Sequence, residues 1–149
     1  MRVFIGQIYI KPGVDFPFSH QMQGWLGEQL SSMANPSAEF VRKYGADFAL
    51  VVRVSADTGI VENRIKGPTI FKKTRDVEYT VFLPFDVIDK ASDGCRVALD
   101  FLLRGIESVF HQAGIDAERL PERKASILDH ICSDASMFTE PWSNEKKGA

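Results

Sequence analysis

The chain has 149 residues, of which 44% are hydrophobic and 26% are charged, and this suffices for one globular domain with its own core. Its net charge of −2 lacks the basic surplus that tight binding to nucleic-acid phosphates requires, so direct nucleic-acid binding is disfavoured. The N-terminus has no secretion signal, and no run approaches the roughly 18 apolar residues of a membrane helix. We therefore expect a cytoplasmic protein outside the membrane.

The N-terminal third predicts one strand and two helices. Residues 2–10 carry apolar side chains on both faces of an extended chain, which is typical of a well-covered central strand. Ser19 is suited to cap a helix over residues 20–34, and Ser37 a second helix over residues 38–44. Trp25 falls in the apolar stripe of the first helix.

The middle of the chain predicts three strands in succession. They cover residues 47–56, residues 60–66 with 69–73, and residues 77–85. Pro68 interrupts the second of these, and because proline has no N–H to donate, it indicates a bulge or an exposed edge. Short turns join the three strands, so we expect an antiparallel meander.

Two longer helices complete the predicted domain, over residues 94–113 and 117–134. The element order β-α-α-β-β-β-α-α groups helices in blocks, which favours an α+β fold with an antiparallel four-stranded sheet and helices packed against it. We expect a single α+β domain over residues 1–140 and a flexible C-terminal tail over residues 141–149. Trp142 in this tail is either a clasp onto the domain or an anchor for a partner.

Residues that could carry chemistry are scattered. The histidines, His20, His111 and His130, fall at helix ends or on a helix surface, and none has metal-ligand spacing. Cys95 and Cys132 fit two reduced thiols, with a disulfide between helices as the alternative. Motifs for a nucleophile or a phosphate loop are missing from the sequence. We therefore expect no catalytic residues, no metal and no cofactor.

One hairpin gathers basic residues. It can be read as a nucleic-acid reader or as an edge strand whose charges block aggregation between sheets, and neighbouring acids favour the second interpretation. The residues concerned are Arg64, Lys66, Lys72, Lys73 and Arg75.

The C-terminal half is acidic. Residues 86–140 hold six Lys/Arg and eleven Asp/Glu, a net charge of −5. Such a surface suits a basic partner, although helices are also often acidic for solubility. If a partner binds here, the predicted steering face comprises Asp116, Glu118, Glu122, Asp129 and Asp134.

The segment GPTIFKKTRDVEYTVFLPFDVI at residues 67–88, followed by ALDFLLRGIESVF in the next helix, resembles bacterial immunity proteins of polymorphic toxin and contact-dependent growth-inhibition systems. The resemblance implies a non-enzymatic protein that binds the toxin domain of a cognate secreted effector, often a nuclease, and occludes its active site. It carries over no individual binding residue.

Two alternatives stay open from the residues alone. One is a small-ligand-binding or enzymatic α+β domain with a pocket between sheet and helices, recognisable by convergent polar groups. The other is a homodimer joined through an edge strand.

Overall fold

The computed structural model describes residues 1–7 and 18–138. In chain order its elements are β1 (Val3–Gln7), α1 (His20–Met33), β2 (Asn35–Pro36), α2 (Ala38–Tyr44), β3 (Ala49–Asp57), β4 (Arg64–Phe71), β5 (Asp76–Pro84), α3 (Phe85–Lys90), α4 (Gly94–Ala113), β6 (Ile115–Asp116), α5 (Leu120–Cys132) and a 3₁₀ turn (Ala135–Met137). The predicted strand residues 8–10, the domain's last residues 139–140 and the tail at 141–149 with Trp142 lie outside the described residues.

Helices α1, α2 and α4 begin where their capping residues predict. The hydroxyl oxygens of Ser19 and Ser37 accept hydrogen bonds from backbone N–H groups three residues later, each at 3.2 Å. The Asp93 carboxylate does the same for Arg96 at the start of α4, also at 3.2 Å. Gly114 ends α4 in the left-handed conformation with a φ of 75°, which glycine adopts without a steric penalty. The four predicted helices are confirmed, although α5 begins three residues later than expected.

The prediction of an antiparallel sheet is wrong. The four strands lie in the order β1-β3-β5-β4. The β1–β3 and β3–β5 pairs are parallel, and only β4–β5 is antiparallel, so the sheet is mixed and mostly parallel. The predicted hairpin between β4 and β5 exists, but β3 and β4 are not neighbours.

The link between β3 and β4 explains this topology. Residues 58–63 cross the end of β5, and six extended residues reach about 20 Å, twice the spacing of roughly 10 Å between strands that flank a third. β4 therefore forms the edge of the sheet. Its pairing with β5 shifts between Lys66 and Thr69, which confirms the bulge or edge predicted from Pro68.

One face of the sheet builds the core. Val3 and Ile5 of β1, alternate residues of β3 and β5, and the apolar faces of α1, α4 and α5 form a single buried cluster. The opposite face stays partly exposed in the described part of the chain, with Phe4 48% and Phe71 45% exposed. β1 is an edge strand covered on one face, so the prediction of a central strand covered on both faces is also wrong.

Two glycines set how closely helices approach the sheet. A Cβ on Gly105 of α4 would lie 2.5 Å from the Cγ1 atom of Val81 in β5. A Cβ on Gly27 of α1 would lie 3.1 Å from the Val3 carbonyl oxygen. Glycine at both positions thus allows the helix backbones to lie close against the strands.

Candidate functional site

Three of the predicted acidic residues lie together at one end of the molecule. Asp116 ends β6, Glu118 lies in the following turn, and Glu122 lies in the first turn of α5, and all three are exposed. Buried Ile115 and Leu120 anchor the backbone on either side of the turn, so the acidic side chains project outward. We call Asp116, Glu118 and Glu122 the acidic corner. Within residues 1–7 and 18–138, these carboxylates have no ion pair and no side-chain hydrogen bond.

Two clefts flank the acidic corner, and Asp116 and Glu118 line both of them. The larger has a volume of about 430 Å³ and also contains Ser32, Asn35 and Arg119. The smaller, of about 250 Å³, is bounded by apolar residues of α4 and α5 together with Glu107 and His111 of α4. Two carboxylates thus stand on a ridge between depressions that are large enough to admit side chains of a partner.

The other two predicted residues lie elsewhere and stabilise the chain locally. Asp129, beyond the middle of α5, accepts a hydrogen bond from the Nη2 atom of Arg96 at 3.2 Å. Asp134 caps the 3₁₀ turn by accepting from the Ser136 N–H at 3.0 Å, and hydrogen bonds from the Ser136 side chain and backbone lower the pKa of this carboxyl group. The structure therefore brings together three of the five residues.

The basic hairpin residues lie on the edge of the sheet. Arg64 pairs with Asp57 at 3.5 Å, and its guanidinium lies 5.2 Å from the centre of the Phe82 ring. Arg75 pairs with Asp47. Positive charges on β4 and its turn are thus partly neutralised by neighbouring acids, in keeping with the interpretation of edge protection.

The predicted histidines and cysteines do not converge. The His130 ring stacks on Trp25 with centroids 4.2 Å apart, which joins α5 to α1 and leaves Trp25 half-buried rather than fully in the core. Cys95 and Cys132 are not joined by a disulfide. Among the residues described, His, Cys, Asp and Glu side chains form no group of three that could hold a metal ion.

A cavity of about 380 Å³ lies between the sheet and the helices, where the alternative of a ligand-binding domain places a pocket. The sequence did not indicate which residues line it. Tyr79 of β5, Phe40 and Tyr44 of α2, and Ala113 of α4 line its inner part. Alternation in β5 correctly places Tyr79 on the buried face. The placement of α2 beside the end of α4, where both border the cavity, has no local signal in the sequence.

Comparisons with known proteins add no family. The sequence matches no protein-family model, and neither a curated protein nor a solved structure is significantly similar to it. In the part of the chain that the structure describes, every helix is too short or too polar to cross a membrane.

Proposed function

We propose that this protein is a cytoplasmic immunity protein, which binds the toxin domain of a cognate secreted effector and occludes its active site. The resemblance of residues 67–88 and of α4 to such proteins supports this class. We choose the acidic corner as the toxin-binding surface because its three exposed carboxylates lack basic partners among the described residues.

Unpaired carboxylates at a corner suit recognition of a basic protein surface. Their field accelerates association with a positively charged partner, because complementary potentials steer diffusional encounter. The flanking clefts then accept lysine or arginine side chains beside Asp116 and Glu118. If the toxin is a nuclease, these carboxylates occupy the positions that substrate phosphates would take in its basic cleft.

Calorimetric titration with the C-terminal domain of a secreted effector encoded by an adjacent gene, used as the candidate toxin, tests the proposal. Neutralising the acidic corner with Asp116→Asn, Glu118→Gln and Glu122→Gln should weaken binding by about tenfold or more, mainly through slower association. Raising the salt concentration should reduce the affinity of the wild type more than that of the variant.

A matched control removes the same charge elsewhere. Glu28 lies on α1, Glu62 lies before β4 and Asp100 lies on α4, and all have partly or fully exposed side chains. The variant Glu28→Gln, Glu62→Gln, Asp100→Asn should keep near-wild-type affinity. Equal losses of affinity in the two triple variants would show that the acidic corner acts only through the net charge of the protein. If the wild type does not bind, the proposed function is rejected.

A second candidate function has one observation in its favour. The cavity between sheet and helices meets the description of a small-ligand site, since charged and hydroxyl-bearing residues converge on it.

A further inference from the structure

The cavity beside Tyr79 has a buried floor and a charged rim. Phe40, Tyr79 and Ala113 are buried at its floor, at 2%, 3% and 9% exposure. The rim is formed by exposed Glu39 and Lys43 of α2 and by exposed residues at the end of α4, His111 and Gln112. A volume of about 380 Å³ falls within the range of pockets for small molecules, near its lower end.

The Tyr79 hydroxyl is the polar group that this floor leaves without a partner. Tyr79 as a whole residue is only 3% exposed, and its hydroxyl makes no hydrogen bond to any residue in the described ranges. Its oxygen is not among the fully buried side-chain atoms without a partner, so the hydroxyl itself is accessible. An accessible hydroxyl that lines a cavity bonds to water, and a ligand with an oxygen acceptor can replace that water. The donor is therefore available to a molecule in the cavity.

The protonation state of Tyr79 suits this role. Burial raises the pKa of its hydroxyl above the ordinary value, and the neighbouring Tyr44 raises it further. At neutral pH the group is thus a neutral O–H that donates a hydrogen bond.

Flat side chains form the walls. The Tyr44 ring is held edge-on to Phe40, with centroids 5.0 Å apart, and stacks on Phe48 at 6.1 Å. On the opposite side the bulge of β4 brings Pro68 to the cavity. A Cβ at the adjacent Gly67 would lie 2.9 Å from the Glu78 carbonyl oxygen and 3.1 Å from the Tyr79 ring, so glycine keeps the bulge close to Tyr79. These walls favour a planar ligand.

We propose that this cavity binds a small planar molecule that presents an oxygen acceptor to the Tyr79 hydroxyl. Charges of both signs at the rim, on Lys43 and Glu39, allow the acceptor to be a carboxylate or a neutral carbonyl. This proposal does not depend on the acidic corner, so ligand binding in the cavity and toxin binding are tested separately.

The test uses three probes that share a benzene ring and differ in their polar group. Benzoate carries a charged acceptor, benzamide a neutral acceptor, and benzylamine a cation with no acceptor. In an NMR titration of the full chain, benzoate or benzamide should shift the backbone amide signals of Tyr44, Tyr79 and Gly114, and the stronger of the two identifies the acceptor. Benzylamine should bind more weakly than both.

Variants on one strand supply the decisive comparison. Tyr79→Phe keeps the ring and should weaken binding of the better probe at least about fivefold, the equivalent of one neutral hydrogen bond. Thr80→Val removes a hydroxyl from the next residue, which faces the other side of the sheet, and should leave the affinity unchanged. Ala113→Leu fills the floor and should abolish binding of every probe.

Three results would overturn the inference. The first is that benzoate and benzamide, at their solubility limits, shift no amide signal of the residues around the cavity. The second is equal affinity of the wild type and Tyr79→Phe for the better probe. The third is tighter binding of benzylamine than of both benzoate and benzamide. Thermal melts of each variant establish that it is folded, and the Tyr79→Phe comparison stands even if Ala113→Leu does not fold.

Discussion

Replacing Gly105 by alanine tests how α4 packs on the sheet. Gly105 is buried in α4, opposite Val81 in β5. Alanine is the better helix former, so without tertiary contacts the substitution would stabilise the protein by about 1 kcal/mol. In this fold the added methyl group would lie 2.5 Å from the Val81 Cγ1 atom, well inside the normal contact distance of about 3.5–4.0 Å between carbons.

Relieving that overlap requires a movement of about 1 Å by a fully buried residue. Val81 has 0% exposure, and branching at its Cβ atom restricts rotation about χ1, so the side chain cannot simply rotate away. Overpacking of this kind costs about 1–3 kcal/mol, which outweighs the gain in helix propensity. We therefore expect Gly105→Ala to lower the free energy of unfolding.

Urea unfolding followed by circular dichroism measures this change, and Gly24→Ala is the matched control. Gly24 lies in α1, where an added Cβ would meet no other atom within 4 Å, so the same substitution should raise the free energy of unfolding by about 0.5–1 kcal/mol. Opposite signs for the two variants are the expected outcome. A neutral or stabilising Gly105→Ala would refute the close packing of α4 against β5.

Three further predictions each concern a single residue: two concern a hydrogen bond and the third the ionisation of a thiol. Ser31→Ala should cost about 1–2 kcal/mol, because the Ser31 hydroxyl accepts from the Val3 N–H at 2.8 Å at the sheet edge; faster hydrogen exchange at Val3 is the readout, and unchanged exchange would argue against this bond. Asn63→Ala should cost about 1 kcal/mol in chemical denaturation, because its side-chain amide donates to the Phe101 carbonyl at 2.7 Å and ties the crossover to α4; a neutral effect would show that this tie is dispensable. Burial raises the pKa of the Cys132 thiol, so the folded protein holds less thiolate than the unfolded chain near pH 8. Alkylation at Cys132 should therefore be slower in the folded state and accelerate at higher pH, and stability should fall as pH rises above the ordinary thiol pKa; equal rates in both states would contradict the shift.

Local signals predicted the helices well but not the sheet topology. Capping by Ser19, Ser37 and Asp93 and termination at Gly114 are encoded within a few residues, so these ends are readable from the sequence. Strand order depends on contacts between distant segments, and there the assumption that consecutive strands are neighbours failed.

Pro68 in the sequence already argued against an antiparallel meander. In an antiparallel meander the strand with Pro68 would lie in the middle of three, where proline leaves a ladder hydrogen bond unmade. Placing β5 between β3 and β4 moves Pro68 to the edge and puts the apolar strands at the centre. The two-helix crossover between β1 and β3 likewise permits parallel pairing, which a short hairpin does not.

The acidic corner was partly predictable, whereas the lining of the cavity was not. Net charge identifies the acidic half, but it cannot separate Glu118 from Asp129, which has Arg96 as its partner across the helix pair. The position of Tyr79 in a cavity becomes visible only once α2 and the end of α4 are placed beside β5.

Cell protection tests the central claim most directly. The candidate toxin, the C-terminal domain of a secreted effector encoded by an adjacent gene, is expressed in a sensitive strain. It is expressed together with the wild type, the triple variant of the acidic corner, or the charge-matched control. We predict that the wild type and the control restore growth and that the variant at Asp116, Glu118 and Glu122 does not, at equal protein levels. Growth arrest with the wild-type protein present in excess would contradict the account.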